Sequence, residues 1–407
     1  MSFRRDACSE TTGGYSIDDY SGPPCTLLRM FAPIRSLVAF RPSAAPGLLA
    51  GAAGVAGLFA ATAFLVPAVA VRFGISVGAA GLISVVQVGG FTIATLVAGR
   101  KIRADGRILV GAAIAQVIAN LISAAVGWFW LLLAARLVAG VGAGLVTWMA
   151  WIDAMKEHAV MRDIAGIGPF TALVSAPLFG LLTSLWGDRP VFLVLALLAA
   201  APLAFRVDLS GEAAPTRRRV SPSRSNLVLL GSLALLTLAG SSMFMFTVAM
   251  AEVRIGLDPS IAAFAISANA AAGFAATRLR ARTGTASLWM AGIAVAIGSM
   301  LVFPMAPVFF VAMAAWGFCF WMAVPEVLRQ VAAWSLVPAE RVGDAQGLMA
   351  PGRVVGPGVG GLLVGAGSFV AVGIEAVAGT TVAVAVIGGV ERYRRGRTGP
   401  RGTGSPS

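Results

Sequence analysis

The chain has 407 residues, 58% of them hydrophobic and 12% charged, with a net charge of +13 and a mean hydropathy of +0.85. An ordinary globular domain is about half apolar and roughly a quarter charged, so this composition leaves too little polar surface for a water-exposed body and excludes a soluble protein. A span uses roughly 20 apolar residues, so the length holds about 10 to 14 of them, and the excess of positives becomes a question of topology rather than of nucleic acid.

Residues 1–46 are polar, with acids and bases nearly balanced, and read as a disordered cytoplasmic tail. They show no basic start, apolar core and small-residue cleavage site, hence no signal peptide. Met30 opens a second plausible beginning, MFAPIRSLVAF, which leaves open whether residues 1–29 belong to the protein. Six apolar runs follow near 47–71, 77–99, 107–127, 129–152, 164–186 and 190–206. A polar linker, 207–225, carries Pro, Ser and four arginines, and six more runs lie near 226–251, 259–277, 286–304, 307–330, 343–365 and 367–390. The basic, low-complexity stretch 391–407 reads as a second cytoplasmic tail. The pattern predicts an all-α integral membrane protein: an N-terminal six-helix bundle over 47–206 and a C-terminal one over 226–390.

Orientation follows from the basic residues. With both termini inside, only Arg72, Arg189 and Arg254 of the 31 Lys and Arg fall in outer loops, and Arg136 and Arg353 lie within spans. The others cluster in the 100–107 loop, the linker, Arg278, Arg280 and Arg282, and the C-terminal tail. That is the positive-inside bias of an even number of spans, and it expects a plasma-membrane protein with cytoplasmic termini. Cys8, Cys25 and Cys319 make no disulfide framework, and His158 is the only histidine. No metal site and no cofactor is expected, and a His- or Cys-based catalyst would rest on one residue in a polar loop.

The two halves repeat. Arg72-Phe73-Gly74-Ile75-Ser76 returns as Arg254-Ile255-Gly256-Leu257-Asp258 at an offset of 182, Arg162 and Gly168 as Arg341 and Gly347 at 179, and Pro177 with Gly180 as Pro357 with Gly360 at 180. Three matches in order at nearly one spacing point to a duplicated six-helix unit, an architecture of transporters with a midplane site between the repeats.

Over residues 47–390 the chain resembles the major facilitator superfamily. Pro67 with Arg72–Ser76 looks like that family's exit from helix 1. Gly99-Arg100-Lys101-Ile102-Arg103-Ala104-Asp105-Gly106-Arg107 is similar to its gating loop between helices 2 and 3, except that Arg103 stands where the family carries aspartate. Arg136 with Gly140, Gly142 and Gly144 resembles the family's buried-arginine motif in helix 4. Pro177 with Gly180 in helix 5 is a partial match to the Gly-Pro motif of the drug/proton antiporter branch, and Gly356-Pro357-Gly358-Val359-Gly360-Gly361 in helix 11 is a fuller one. Trp186–Phe192 looks like the family's turn into helix 6. Close-packing glycines and helix-bending prolines suit halves that rock past each other.

The resemblance implies a central cavity lined by helices 1, 4, 7 and 10, with Thr62, Arg136, Ser241, Ser242, Trp321 and Glu326 as lining candidates. Arg136 has three readings: a ligand for an anionic substrate, a charge moving between acids, or a structural anchor. Glu326 follows Pro325 and is placed about 12 residues, roughly 18 Å, from the inner end of helix 10. There it is level with Arg353, and the two are expected to pair, either for proton coupling or simply to join helices 10 and 11. Asp153 and Glu252 read as boundary charges, although Asp153 is kept among the coupling candidates. Glu375 has no account beyond snorkelling or a neighbouring partner. Gln87 and Asn269 stand at matched positions and have two readings, a bond across the interface between halves or, the favoured one, glue in the packing.

The function expected is a secondary active transporter that exports a small organic molecule by alternating access, driven by protons, as a monomer in the lipid bilayer and without nucleic acid. The alternatives are an uptake symporter or facilitator, for which a polar lining cluster is missing, an integral-membrane enzyme, and a non-transporting receptor.

Overall fold

The computed structural model describes residues 42–154, 157–207, 223–278, 285–335 and 338–398. Residues 1–41 of the expected N-terminal tail, with Cys8, Cys25 and Met30, most of the linker, Arg280, Arg282 and the end of the C-terminal tail lie outside the described residues, as do the side chains of His158, Arg162, Arg278 and Arg341.

Twelve helices, with no strand, account for the described residues. α1 spans Pro46–Phe73, α2 Val77–Ala80 and Leu82–Lys101, α3 Gly106–Ala125, α4 Phe129–Ala154, α5 His158–Trp186 and α6 Asp188–Ala200. A 3-10 turn, Ala201–Ala204, extends α6. α7 covers Arg224–Phe244 and, after a break at Met245 and Phe246, resumes as Thr247–Met250 and a π-turn, Ala251–Ile255. α8 spans Pro259–Arg278, α9 Ala286–Val302, α10 Ala306–Ala333, α11 Pro338–Gly365 and α12 Phe369–Thr398. Ten of these are long and apolar enough to cross a bilayer, and α9 is a shorter apolar helix.

The helix ends follow local chemistry. Pro46 sits in the first turn of α1, where its missing N–H costs nothing. Ser76 accepts from Ala79 N at 3.1 Å, Asp105 from Arg107 N at 2.9 Å and Ser223 from Asn226 N at 3.3 Å, each occupying an orphan amide of a first turn. α1 closes on Gly74 in the left-handed region (φ 63°), and the π-turn of α7 closes on Gly256 at φ 75°. Gly187 and Gly367, the turns into α6 and α12, form the second matched pair with positive φ, at 75° and 85°. A side chain there would be strained, so the duplication is written in the turns as well as in the helices.

Hydrophobicity does not drive helices together in lipid; close packing does. A methyl group placed on Gly140 of α4 would lie 2.0 Å from Gln87 O of α2, and one on Gly317 of α10 would lie 2.1 Å from Asn269 O of α8. The same backbone-to-backbone contact therefore holds each half together. Trp128, Trp130 and Trp186 project at the helix ends remote from the linker, called the distal side below, where indoles suit a membrane–water interface.

The C-terminal boundary differs from expectation. The tail read from residue 391 begins inside α12, which runs to Thr398. Glu391 and Arg394 are buried. They lie three residues apart on one helical face: Glu391 accepts from Ala286 N and Gln330 Nε2, both at 2.8 Å, and from Ser287 Oγ at 2.6 Å. Arg394 donates to Gln330 O and Asn226 Oδ1, both at 3.0 Å, and lies 4.8 Å from the Trp334 ring centroid. A strongly charged segment is thus a packed strap across α7, α9 and α10.

Candidate functional site

The two halves meet along α2 with α11 and along α5 with α8, and the contact is tightest on the distal side. A methyl group on Gly78 of α2 would sit 2.1 Å from Gly361 O of α11, and one on Gly180 of α5 would sit 2.8 Å from Pro259 O of α8. These two seals are related by the internal repeat. Moving toward the linker side along α2 and α11, side chains replace backbone at the contact: Val85 is 3.7 Å from a methyl built on Gly358, and Val354 is 3.9 Å from one on Gly89. Farther still, methyl groups on Gly166 and Gly168 of α5 and on Gly347 of α11 would meet nothing within 4 Å. α2 and α11 are therefore pinned at the distal end and diverge toward the linker side.

Of the motif residues, Gly180, Gly356 and Gly360 are contact points. Methyl groups on Gly356 and Gly360 would lie 2.4 Å from Leu238 O and Ser242 O of α7. Pro177 lies inside α5 and Pro357 inside α11; each lacks a backbone N–H, which frees a carbonyl one turn earlier.

Arg136 is fully buried, but it does not face the space between the halves. Its guanidinium turns into the N-terminal bundle, donating from Nε to Ser123 Oγ (3.1 Å) and from Nη2 to Asn120 Oδ1 (2.7 Å) and Ala119 O (3.3 Å) of α3. It stacks 4.7 Å from the Phe192 centroid of α6. A charge inside hydrocarbon costs at least about 2.5–3.5 kcal/mol on insertion scales, and here neutral dipoles and a ring face offset that cost. Nη1 of Arg136 is buried without a hydrogen-bond partner.

Glu326 and Arg353 do not pair. Glu326 lies only seven positions before Ala333, the linker-side end of α10, about 10 Å at helical rise, not the 18 Å expected. Its carboxylate accepts from Arg329 Nε at 2.8 Å and Gln330 Nε2 at 3.3 Å, both on its own helix. Arg353 is fifteen positions from Pro338, mid-helix in α11, a turn or more deeper. It is half-buried, and among the described residues it has no hydrogen-bond or ion-pair partner.

Gln87 and Asn269 do not bridge the halves either. Gln87 donates to Thr62 Oγ1 of α1 at 3.3 Å, and Asn269 to Met313 O of α10 at 2.9 Å. Thr62 is buried between α1 and α2 and also donates to Leu58 O at 3.0 Å. Ser241 donates to Thr237 O and, across to α11, lies 3.2 Å from Gly352 O. Trp321 packs on α8, its ring filling the space that a side chain at Gly273 would need. Ser242 is the lining candidate whose hydroxyl meets a carboxylate. Its hydroxyl has Ala239 O at 2.8 Å as one acceptor and the carboxylate of Glu375, on α12, as the other.

In the gating loop Asp105 caps α3, while Arg103 and Arg107 are exposed. Gly106 is required because a methyl there would lie 2.7 Å from Val207 O, whereas Gly99 faces Trp148 with room to spare at 3.7 Å. Asp153 is half-buried next to the end of α4.

Comparison with known proteins settles what this helical frame is: the family model of the Major Facilitator Superfamily matches residues 48–361. The chain belongs to the major facilitator superfamily. No curated protein matches this facilitator. Among solved structures it is similar to a bacterial homologue of the human lysosomal transporter Spinster, inward-facing and occupied, at 14% identity and TM-score 0.63 over 88% of this chain and 97% of that one. It is also similar to a bacterial homologue of the iron transporter ferroportin, inward-facing, at 15% identity and TM-score 0.62 over 84% and 97%. A third is the nucleoside transporter NupG, at 14% and 0.61 over 84% and 98%. At such identities the likeness is one of fold.

Besides the strap of Glu391 and Arg394, two clusters in this facilitator were not assembled from sequence. Arg72 donates to Asp188 Oδ2 (2.8 Å), Ser123 O (3.0 Å), Ala124 O and Val126 O, so it caps the carbonyl end of α3 and pairs with the first residue of α6. The match of Arg72 to Arg254 was a signal for it, because Arg254 reaches Leu301 O at the end of α9 in the same way, at 3.4 Å. Ser242 with Glu375 is the other, and nothing in the one-dimensional pattern of α12 pointed to it.

Proposed function

We propose that this facilitator is a proton-driven exporter of a small organic molecule, working by alternating access as a monomer in the plasma membrane with both termini cytoplasmic. Export is favoured by the Gly-Pro elements of α5 and α11 and by an interior with few polar groups, which suits an apolar or amphipathic substrate. The distribution of arginines supports the orientation, and the divergence of α2 and α11 toward the linker side supports an inward-facing state.

The observation that carries proton coupling is the Ser242–Glu375 contact. A lone carboxyl within a span, bonded to a neutral hydroxyl, is a functional position by default. α9 contains no ionisable residue, those of α7 lie at its two ends, and Arg353 of α11 is mid-helix on another face. Ser242 has one proton and two acceptors. When Glu375 is ionised the hydroxyl donates to it; when Glu375 is protonated, its own O–H donates to Ser242, whose proton turns back to Ala239 O. The exchange occurs two residues before Phe244, where α7 breaks, and beside Gly360, so a proton changes how α12 grips α7 next to the distal seal.

Purified protein in liposomes, with an imposed pH difference, tests this. Glu375→Gln keeps the hydrogen bonds and removes the charge. It is expected to abolish the stimulation by the gradient, by about tenfold, while substrate counterflow persists. Full stimulation in Glu375→Gln removes the residue from coupling. No stimulation in the unaltered protein favours the facilitator reading instead.

A further inference from the structure

Arg353 is a charged group inside a span that, among the described residues, has no hydrogen-bond or ion-pair partner. Its direction follows from its neighbours. Gly352, Gly356 and Gly360 abut α7: methyl groups there would lie 2.6, 2.4 and 2.4 Å from Ala234 O, Leu238 O and Ser242 O. Val354, Gly358 and Gly361 turn to α2, against Gly89, Val85 and Gly78. Leu348, Val355 and Leu362 are exposed apolar side chains and form the lipid face. With successive residues about 100° apart, Arg353 falls between the α7 face and the α2 face, opposite the lipid face. It is aimed at the space between the halves, at mid-helix depth.

Among the described residues no ion pair reaches it, and two of the acids within the spans are engaged elsewhere. Glu326 is held by Arg329 and Gln330 near the end of α10, and Glu375 by Ser242 on α12. A second unused group stands across from it. Thr92 lies on the same α2 face as Val85 and Gly89, at helical spacing, one turn toward the linker side, and its Oγ1 is buried without a hydrogen-bond partner. A helical threonine ordinarily donates to the carbonyl four residues back, as Thr62 and Thr95 do here. Thr92 does not. A cation and a spare hydroxyl donor on facing helices, with valines and glycines around them, complement one oxyanion on an otherwise apolar body.

We infer that Arg353 is a substrate-binding residue and that the substrate class is an amphipathic monoanion, its carboxylate, sulfonate or phosphate meeting the guanidinium between α2 and α11. This rests on the transport reading above and narrows its cargo. Arginine suits the task because its planar donors meet an oxyanion in pairs.

The test uses the full chain in proteoliposomes with two probes on one ring system, a pyrene sulfonate and a pyrenyl trimethylammonium. The sulfonate is expected to move at least about tenfold faster than the ammonium and to raise the melting temperature of the detergent-solubilised protein. Arg353→Gln should lose sulfonate transport by about tenfold or more and lose the thermal response. Arg353→Lys, a charge without the fork, should retain part of both. Removing an unpaired charge from a span relieves a cost, so Arg353→Gln should melt no lower than the unaltered protein, which separates loss of binding from loss of fold. Movement of the ammonium with no response to the sulfonate would overturn the anion site and leave the transporter reading standing. Unchanged sulfonate transport and thermal response in Arg353→Gln, or a sulfonate that neither moves nor stabilises, would also overturn it.

Discussion

The distal corners of the two halves share a backbone and differ in chemistry. In both, an arginine at the end of the first helix of the repeat reaches the carbonyl end of the third: Arg72 to α3, Arg254 to α9. In the N-terminal half that arginine also meets Asp188, at 2.8 Å, and Arg136 reinforces the corner through Ser123. At the matching place the C-terminal half has Ser368, whose hydroxyl accepts from Ala371 N at 3.0 Å, and Arg254 makes only long contacts of 3.4 and 3.5 Å. Its charged strap, Glu391 and Arg394, lies at the other end, on the linker side. Duplication has preserved what main chain does and left the charges free to diverge. One half is fastened where the seal is; the other is fastened away from it, with a broken α7 at the seal.

The largest effect is expected from cutting the N-terminal fastening. Arg72 and Asp188 are 11% and 4% exposed, and removing one partner of a buried pair costs about 3–5 kcal/mol. Asp188→Asn should therefore lower the unfolding temperature of the purified protein sharply; a shift no larger than that of a surface change would mean the two corners are alike in strength. Gly78→Val comes next. Overpacking of about 1–3 kcal/mol against Gly361 O falls only on the sealed state, so transport should drop roughly ten- to hundredfold while the protein stays monodisperse. Gly140→Val, inside one half, should instead reduce the yield of folded protein. Arg254→Ala is expected to cost about 1 kcal/mol or less. Smallest is Ser368→Asp, which keeps the helix cap and offers Arg254 the acid its counterpart has: a gain of about 0.5–1 kcal/mol by thermal unfolding would make the corners equivalent, and no gain would show that geometry as well as charge has diverged.

The helices were legible because hydropathy averages over twenty residues and the bilayer enforces the length. The glycine matches were legible because a close approach tolerates few other residues. Pairing was not. Whether Glu326 meets Arg353 depends on depth and on helical phase, and a run of apolar residues reports neither; an error of a few positions at a helix end moves a side chain by a full turn. Arg136 was visible as a buried charge, but its partners Asn120, Ser123 and Phe192 lie on other helices. Glu391 and Arg394 were hidden for the opposite reason. A basic, polar stretch reads as a tail, and only the three-residue spacing that puts both groups on one face of α12 shows that they pack.

The contact of Gly78 with Gly361 has a thermodynamic consequence. Glycines have no rotamers to lose when the halves come together, and a Cα–H against a carbonyl contributes only about 0.5–1 kcal/mol. A seal of main chain against main chain thus closes with little entropy lost and little enthalpy gained. Its balance should drift little with temperature, leaving the occupants of the membrane-embedded polar groups, rather than the seal itself, to decide which way the molecule faces.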